Sequence, residues 1–276
     1  MDTGVFRRFS TLARDQAGIS FKDGKEGLIA GRIAKRMRAL CLHDAREYLE
    51  VLEADRGGEE VSQFIDAVST NFTSFFREPD HFQLLARAVS GWVASGQRRL
   101  RIWSAASSSG EEPYSIAMTV REAIGDHQVD VKILATDISD RVLQQARAGV
   151  YPGERVATVP EAMRRRWFRS VAGEPDQFVI SPEIARTVAF RKLNLSAPPF
   201  PMRGPFDFVF CRNVLIYFEQ PVRAGLIGSI EKLLRPGGWL CIGHTETLTG
   251  LRSGLRFVEP SVFHKPEAVA RGEARR

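Results

Sequence analysis

The first segment with chemically useful residues reads SAASSSGEEP and follows an apolar run. Its small residues, Ser104 to Gly110, would let a ligand approach the backbone closely. The glycine spacing is not GxGxxG, and the carboxylates of Glu111 and Glu112 would repel a pyrophosphate. They favour a cation instead, such as the ammonium or sulfonium of S-adenosylmethionine. Both acids also suit the first turn of an ordinary solvated helix, so this segment alone leaves two interpretations open.

A second apolar run ends in ATDIS and carries one acid at its end. Nucleotide-binding α/β proteins place an acid here that accepts the ribose hydroxyls, and we assign this role to Asp137. The alternative is an N-cap for the following helix, a role for which Asp140 competes.

Two later apolar runs also end in polar residues. Asn194 and Leu195 follow the third run and offer an amide and an apolar face to an adenine ring. The fourth run, FVFCRNVLIYF, ends in Arg212 and Asn213, with Tyr217 four residues further on. Ligands of open parallel sheets bind beyond the carboxyl ends of the strands, so these side chains are predicted to share one binding edge.

The segment NFTSFFREPDHF, residues 71–82, precedes these runs and mixes four phenylalanines with polar side chains. A plain linker would not need so many aromatic residues. We therefore predict that it packs against the domains on either side. Its polar residues Asn71, Thr73 and Arg77 could then close over a ligand.

The elements that must position these residues fall into two parts. Apolar residues recur every three or four positions up to residue 70, which predicts helices and no strand. Beyond residue 98, short β-rich runs alternate with helical stretches, which predicts a doubly wound α/β domain with a parallel sheet. The predicted strands span 100–105, 131–136, 188–193, 206–211 and 239–243.

These patterns predict the domain boundaries. Residues 1–70 form a helical domain, 71–97 a linker and connecting helix, and 98–265 an α/β domain. The crossover after residue 150 is too long for a simple connection, and we expect a small inserted β-subdomain within about 165–187. Residues 266–276 are expected to form a flexible tail.

Composition bounds the class of protein. The chain has 276 residues, with 43% hydrophobic and 26% charged, and it has neither a long apolar run nor a secretory signal, so we expect a soluble, cytoplasmic protein. The three cysteines are far apart, which gives no indication of a disulfide framework or a metal site. A net charge of +6 suggests an anionic partner.

In combination and order, the motifs resemble those of the CheR family, the S-adenosylmethionine-dependent methyltransferases that methylate glutamates of bacterial chemotaxis receptors. The resemblance covers nearly the whole chain. It rests on a helical N-terminal domain followed by NFTSFFRE, WSAASSSGEEPYSIA, ATDIS, LNL, FDFVFCRNVLIYF and LRPGGWLCIGHTETL. It implies a Rossmann-like methyltransferase domain with an inserted β-subdomain, S-adenosylmethionine as cofactor, S-adenosylhomocysteine as product, and no metal.

The resemblance also implies roles for residues at matching positions. Glu112 would contact the methionine end of the cofactor and Asp137 its ribose. Further contacts would come from the linker (Asn71, Thr73, Arg77), from residues beside the adenine (Asn194, Leu195) and from the fourth strand (Cys211, Arg212).

An ionised glutamate can attack the sulfonium methyl without a general base, because its ordinary pKa of about 4.3 lies well below neutral pH. We expect Arg77 and Tyr217 to orient this carboxylate. The residues alone leave open an ion pair of Arg77 with Glu78 or Asp80, and a core position for Tyr217.

The expected partner is the acidic helical bundle of the receptor cytoplasmic region. Residues 22–38, from Lys22 to Arg38, hold six basic and two acidic residues, and Arg32, Lys35 and Arg36 share one helical face that could dock there. An ordinary solvated face is the alternative. We expect neither nucleic acid nor membrane insertion.

Two other functions remain as alternatives. One is a nucleic-acid methyltransferase, although no acidic-Pro-Pro-Tyr motif follows the fourth strand. The other is a cofactor-binding scaffold without catalysis.

Overall fold

A computed structural model describes residues 2–21 and 24–267 of the chain. Lys22, at the start of the expected docking segment, and residues 268–276 of the expected tail lie outside the described residues. Among the described residues, none of the helices combines the length and the hydropathy that a membrane-spanning segment requires.

Four helices form the N-terminal part. They are α1 (Thr3–Ala17), α2 (Glu26–Ala39), α3 (Ala45–Ala54) and α4 (Glu59–Val68). Asp44 caps α3 by accepting the amide hydrogen of Arg46 at 2.9 Å. The fully buried rings of Phe9, Tyr48 and Phe64 pack with centroids 5.7 to 6.5 Å apart and form the centre of this bundle.

The basic face expected on α2 is only partly present at the surface. Two of its three cations, Arg32 and Arg36, contact other residues of the helical bundle. Arg32 donates to the carbonyls of Val68 at 2.8 Å and Ser69 at 3.0 Å. It thereby satisfies carbonyls that the end of α4 leaves without helical partners. Arg36 forms a two-pronged pair with Glu60, of which one contact is 2.8 Å. Arg36 is thus neutralised by an acid, whereas Arg32 is held through one of its terminal nitrogens and has no acidic partner among the described residues.

The rest of the chain is built on ten strands and seven helices within the described residues. The strands are β1 (Arg99–Ser104), β2 (Asp130–Asp137), β3 (Val150–Pro152), β4 (Phe168–Val171), β5 (Glu174–Ile180), β6 (Val188–Lys192), β7 (Phe206–Cys211), β8 (Leu234–Ile242), β9 (Arg256–Glu259) and β10 (Val262–His264). The helices are α5 (Pro79–Ala94), α6 (Glu111–Ile124), α7 (Asp140–Ala148), α8 (Gly153–Val156), α9 (Glu161–Trp167), α10 (Pro182–Ala185) and α11 (Gln220–Leu233).

Seven strands form one sheet in the order β6-β2-β1-β7-β8-β10-β9. The first five run parallel, and β10 and β9 pair antiparallel at the far edge. The order reverses between β1 and β7, which is where open α/β sheets leave a crevice for ligands. The doubly wound fold predicted from the sequence is confirmed.

A separate three-stranded sheet, in the order β3-β5-β4, lies within the crossover between α7 and β6. It begins at Val150, earlier than the range of about 165–187 expected for the insertion. The strand β3 has only three residues, and its partner β5 follows more than twenty residues later, with Tyr151 opposite Phe178. So short a strand has no periodicity of its own to reveal it.

Candidate active site

A cavity opens at the carboxyl ends of β1, β2, β6 and β7. Its empty space, including the open mouth, is about 940 Å³. Every residue assigned to the site from the sequence except Cys211 lines it, namely Asn71, Thr73, Arg77, Glu112, Asp137, Asn194, Leu195, Arg212 and Tyr217. The cavity therefore collects side chains from the linker and from the loops after four different strands.

The expected cofactor contact of the Cys211 side chain is not supported by its position. Successive strand residues point to opposite faces, so Phe208 and Phe210 pack on one side of the sheet and Val209 and Cys211 on the other. The thiol is fully buried among apolar side chains and does not line the cavity. The alternation of this strand already contained that information, and we do not assign the side chain a cofactor contact.

Asp137 ends β2 with its carboxylate held by two backbone amides. Ser108 donates to Oδ2 at 2.8 Å and Ser139 donates to Oδ1 at 3.0 Å. The helix α7 is capped by the Ser139 hydroxyl, so neither Asp137 nor Asp140 has the N-cap role. Burial raises the pKa of Asp137, and the two amides oppose that rise. An ionised carboxylate offers about four acceptor positions, which leaves room for two ligand hydroxyls.

The two acids after β1 separate onto different faces of α6. Glu112 lines the cavity, accepting from the Ser104 hydroxyl at 2.7 Å and from Arg212 at 3.1 Å. Glu111 is fully buried and pairs instead with Arg155 at 2.7 Å, away from the cavity wall. Adjacent helical residues point about 100° apart, so only one of the two can face a ligand.

Arg212 is almost fully buried, and its charge is compensated from two sides. Besides Glu112, its guanidinium contacts the Glu78 carboxylate at 3.0 Å. Burial raises the pKa of Glu112, and the positive charge of Arg212 partly offsets this rise. Glu78 was not among the residues assigned from the sequence. Its position beside Arg77 in the FFRE segment was the available signal.

Glu78 also ties together two loops at the edge of the cavity. Its Oε1 accepts from the Asn213 side chain at 3.3 Å and from the His244 amide at 3.3 Å. Coulombic attraction to Arg212, aided by these hydrogen bonds, outweighs burial and lowers the pKa of Glu78. Glu78 and Asn213 both adopt a left-handed backbone, with φ of 56° and 58°. Such positions in residues other than glycine cost energy and concentrate at functional sites.

Glu78, His81 and His244 lie close enough to share a metal ion by distance alone, with ligand atoms within 4.8 Å. The Glu78 oxygen nearest His81 is already bound by the Arg212 guanidinium, which would also repel a divalent ion. Burial, reinforced by the charge of Arg212, lowers the pKa of His81 to about 4. We therefore interpret this group as a polar network around a neutral histidine.

Glu246 is a second residue that the sequence assignment missed. Its carboxylate accepts backbone amides of Asn213 at 2.9 Å, Ile216 at 3.2 Å and Gly243 at 2.6 Å. Burial raises its pKa against the effect of these amides. Glu246 holds the 3₁₀ turn Leu215–Tyr217 in place. The motif GHTE after the last parallel strand was the signal in the sequence.

Arg77 and Tyr217 are two polar groups on the cavity wall without a charged partner among the described residues. Arg77 donates to the Phe72 carbonyl at 3.1 Å, and its guanidinium lies 5.5 Å from the centre of the Phe72 ring. Glu78 and Asp80, its possible partners from the sequence, pair instead with Arg212 and His244. Tyr217 is partly exposed, and its ring packs against the edge of the core. Both residues are available to a ligand.

Asn194 and Leu195 form the wall below Asp137. The Asn194 amide donates to the Gln16 carbonyl at 2.8 Å and accepts from the Ser196 amide at 3.0 Å, which holds its orientation. Leu195 is buried and apolar. One amide hydrogen of Asn194 has no partner among the described residues and remains for a ligand.

This sheet order, with an acid at the end of β2 and small residues after β1, defines the class of Rossmann-like S-adenosylmethionine-dependent methyltransferases. The CheR methyltransferase all-alpha domain matches residues 5–69, and the CheR methyltransferase SAM binding domain matches residues 71–263. The chain belongs to the CheR methyltransferase family.

Relatives named chemotaxis protein methyltransferase align over most of their length. That of Escherichia coli K12 is 40% identical over 250 residues, 89% of this chain and 85% of the relative. Those of Klebsiella aerogenes and Borreliella burgdorferi are 39% and 36% identical, covering 88% and 94% of this chain and 83% and 93% of the relatives. Among solved structures, TrmN from Thermus thermophilus aligns with a TM-score of 0.40 and 14% identity, over 68% of this chain and 48% of TrmN.

Proposed function

We propose that the protein transfers the methyl group of S-adenosylmethionine to glutamate side chains of chemoreceptors in the cytoplasm, giving glutamyl methyl esters and S-adenosylhomocysteine. Membership of the CheR family and the names of the relatives support chemoreceptors as substrates. The choice of a carboxylate as methyl acceptor rests on the site itself.

The cavity has the features that the cofactor needs. Asp137 offers acceptors for the ribose hydroxyls, and Leu195 offers an apolar face to the adenine. Glu112 lies at the end of the cavity nearest Arg212 and would hold the methionine ammonium. Asn71 and Thr73 line the linker side. When bound, the cofactor supplies an electrophilic methyl group on a sulfonium.

The observation that carries the proposal is the pairing of a cationic and a hydroxyl donor on the wall of the same cavity. A substrate carboxylate is already ionised at neutral pH, so the protein needs no general base. Arg77 has no acidic partner among the described residues and can hold the carboxylate by two parallel hydrogen bonds. The Tyr217 hydroxyl can hold the second oxygen. Positioning of this kind supplies most of what methyl transfer requires.

Docking of the receptor is proposed on the part of α2 that stays exposed. Lys35 and Arg38 are exposed there, beside the exposed side chain of Leu28. They would attract an acidic helical bundle, whereas Arg32 and Arg36 hold the helical domain together.

The alternatives are less favoured. A nucleic-acid methyltransferase is less favoured because the chain belongs to the CheR family and its relatives are named chemotaxis protein methyltransferases. A non-catalytic scaffold would have no use for a free cation and a hydroxyl beside the cofactor.

The test is incubation with radiolabelled S-adenosylmethionine and membranes rich in chemoreceptors, with total RNA in a parallel reaction. We expect label in receptor bands that alkali releases as methanol, because carboxyl methyl esters hydrolyse readily. Receptors whose methylated glutamates are changed to alanine serve as the control and should stay unlabelled. Label on RNA, or membranes without alkali-labile label, would refute the proposal.

A further inference from the structure

The segment Gln16–Ser20, which we call the strap, leaves the end of α1 and crosses the edge of the cavity. Its Ser20 amide donates to the Tyr217 carbonyl at 2.8 Å. Ile19 and Phe218 form an antiparallel bridge beside this bond. The strap thereby adds two residues of the helical domain to the backbone of the turn that carries Tyr217.

The other end of the strap holds the opposite wall. The Gln16 carbonyl lies in the last turn of α1, where it has no helical partner, and it accepts the Asn194 side-chain amide at 2.8 Å. Ala17 and Ile19 themselves line the cavity. The loops after β6 and β7, whose strands lie three places apart in the sheet, are therefore joined through the strap.

Gly18 makes this close approach possible. Its φ of 70° is left-handed, which favours glycine. A Cβ at this position would lie 2.5 Å from the Ser196 Cβ and 3.3 Å from a ring carbon of Phe218. Contacts as short as 2.5 Å do not occur, so any side chain would push the strap away from both loops.

We propose that the strap is a positioning element of the methyl-transfer site, through which the helical domain holds Asn194 against the cofactor and Tyr217 against the substrate. The inference rests on the proposed function for the role of Tyr217. Its effect on Asn194 concerns cofactor binding and is independent of the methyl acceptor. The strap makes no hydrogen bond to the proposed docking residues Lys35 and Arg38 among the described residues, and Ala17 and Ile19 share the core of the helical domain with the buried face of α2.

The experiment compares Gly18→Ala with Gly58→Ala. Gly58 has nearly the same backbone, with φ of 73°, and a Cβ there would meet nothing within 4 Å, so it reproduces the strain without the collision. We expect Gly18→Ala to weaken S-adenosylhomocysteine binding, measured by calorimetry, by roughly tenfold, the equivalent of one hydrogen bond. The kcat should fall and the KM for receptor should stay constant. Gly58→Ala should bind and turn over like the parent protein.

A second substitution that restores binding would distinguish a positioning role of the strap from a general loss of stability. In Gly18→Ala combined with Ser196→Gly, the 2.5 Å collision is removed. Ser196→Gly also deletes the hydrogen bond from the Ser196 hydroxyl to Asn194 at 2.7 Å, so affinity in the double variant should recover to that of Ser196→Gly alone. Thermal unfolding of each variant is followed in parallel, and titrations are made well below the transition. Unchanged binding in Gly18→Ala, or an equal loss in Gly58→Ala, would overturn the inference. S-adenosylhomocysteine binding is measured without receptor, so the comparison of Gly18→Ala with Gly58→Ala does not depend on the proposed function. If the parent protein formed no methyl ester, the proposed function would be refuted, and the binding comparison would still test the strap.

Discussion

The guanidinium of Arg212 donates to the carboxylate of Glu112 at 3.1 Å on the wall of the cavity, and it holds Glu78 at 3.0 Å on its other side. The Arg212 side chain is 1% exposed and each carboxylate 12%. One cation thus neutralises two buried acids that come from segments on either side of the first strand. This triad joins the linker, α6 and the end of β7.

Removal of the cation should destabilise the fold. In Arg212→Met, two largely buried carboxylates would lose their cationic partner, and loss of one partner of a buried ion pair costs about 3–5 kcal/mol. Urea unfolding should report a loss of this size. The matched control is Arg8→Met, because the Arg8–Glu53 pair is about half exposed and should contribute less than about 1 kcal/mol. Similar losses in both variants would contradict the role of burial.

Arg77→Ala tests the orientation of the substrate carboxylate. We expect the methylation rate to fall by about a hundredfold or more, because a charged hydrogen-bond pair in the reacting complex is lost. The affinity for S-adenosylhomocysteine should change by less than about threefold, since Asp137 and Leu195 are untouched. Arg87→Ala, an exposed arginine on α5, is the control and should retain activity. Full turnover in Arg77→Ala would exclude the assignment.

Asp137→Asn tests the ribose contact and its pH dependence. Burial raises the pKa of Asp137 above its ordinary value of 3.8, so protonation begins at a higher pH than for a free aspartate. The protonated acid loses acceptor capacity, and affinity for S-adenosylhomocysteine should therefore fall as the pH is lowered towards that pKa. Calorimetry over a pH series should show this slope in the parent protein. The Asn variant should bind more weakly and show a flatter pH profile, and an equally steep profile would assign the slope to another group.

Charge reversal at Lys35 and Arg38 tests receptor docking. Both side chains are exposed on α2, so Lys35→Glu with Arg38→Glu should raise the KM for receptor about tenfold without changing cofactor affinity. The effect should shrink at high salt, which screens exposed charges. A charge-matched control reverses Arg99 and Lys132, which lie at the opposite end of the sheet from the cavity. An equal effect of both pairs would indicate net charge rather than a docking face.

Much of the site was predictable because it depends on local pattern. The parallel strands were recognisable from short apolar runs, and a parallel sheet brings the residues after each strand to one edge. Asp137 and Asn194 could therefore be assigned before any contact was known, whereas Arg77 was assigned from the aromatic linker and the family resemblance. Cys211 was expected in the site only from the family resemblance, but a residue still inside the strand points to a face set by the alternation, and Cys211 points into the core.

The partners of the buried charges could not be read in this way. Glu78 and Arg212 are 134 positions apart in the sequence, and Gln16 and Asn194 are 178 positions apart, yet each pair is hydrogen-bonded. Arg32 looked like part of an exposed basic face until the end of α4 was seen to accept its hydrogen bonds.

The helical and α/β parts, the parallel sheet and its binding edge follow from the amino-acid pattern, because periodicity and turn residues act over a few positions. Which acid faces the cavity, which arginine can bind a ligand, and how the strap reaches Tyr217 became evident only in the folded chain. Those outcomes depend on the packing of segments far apart in the chain, where a buried charge takes the partner that lies within hydrogen-bond distance.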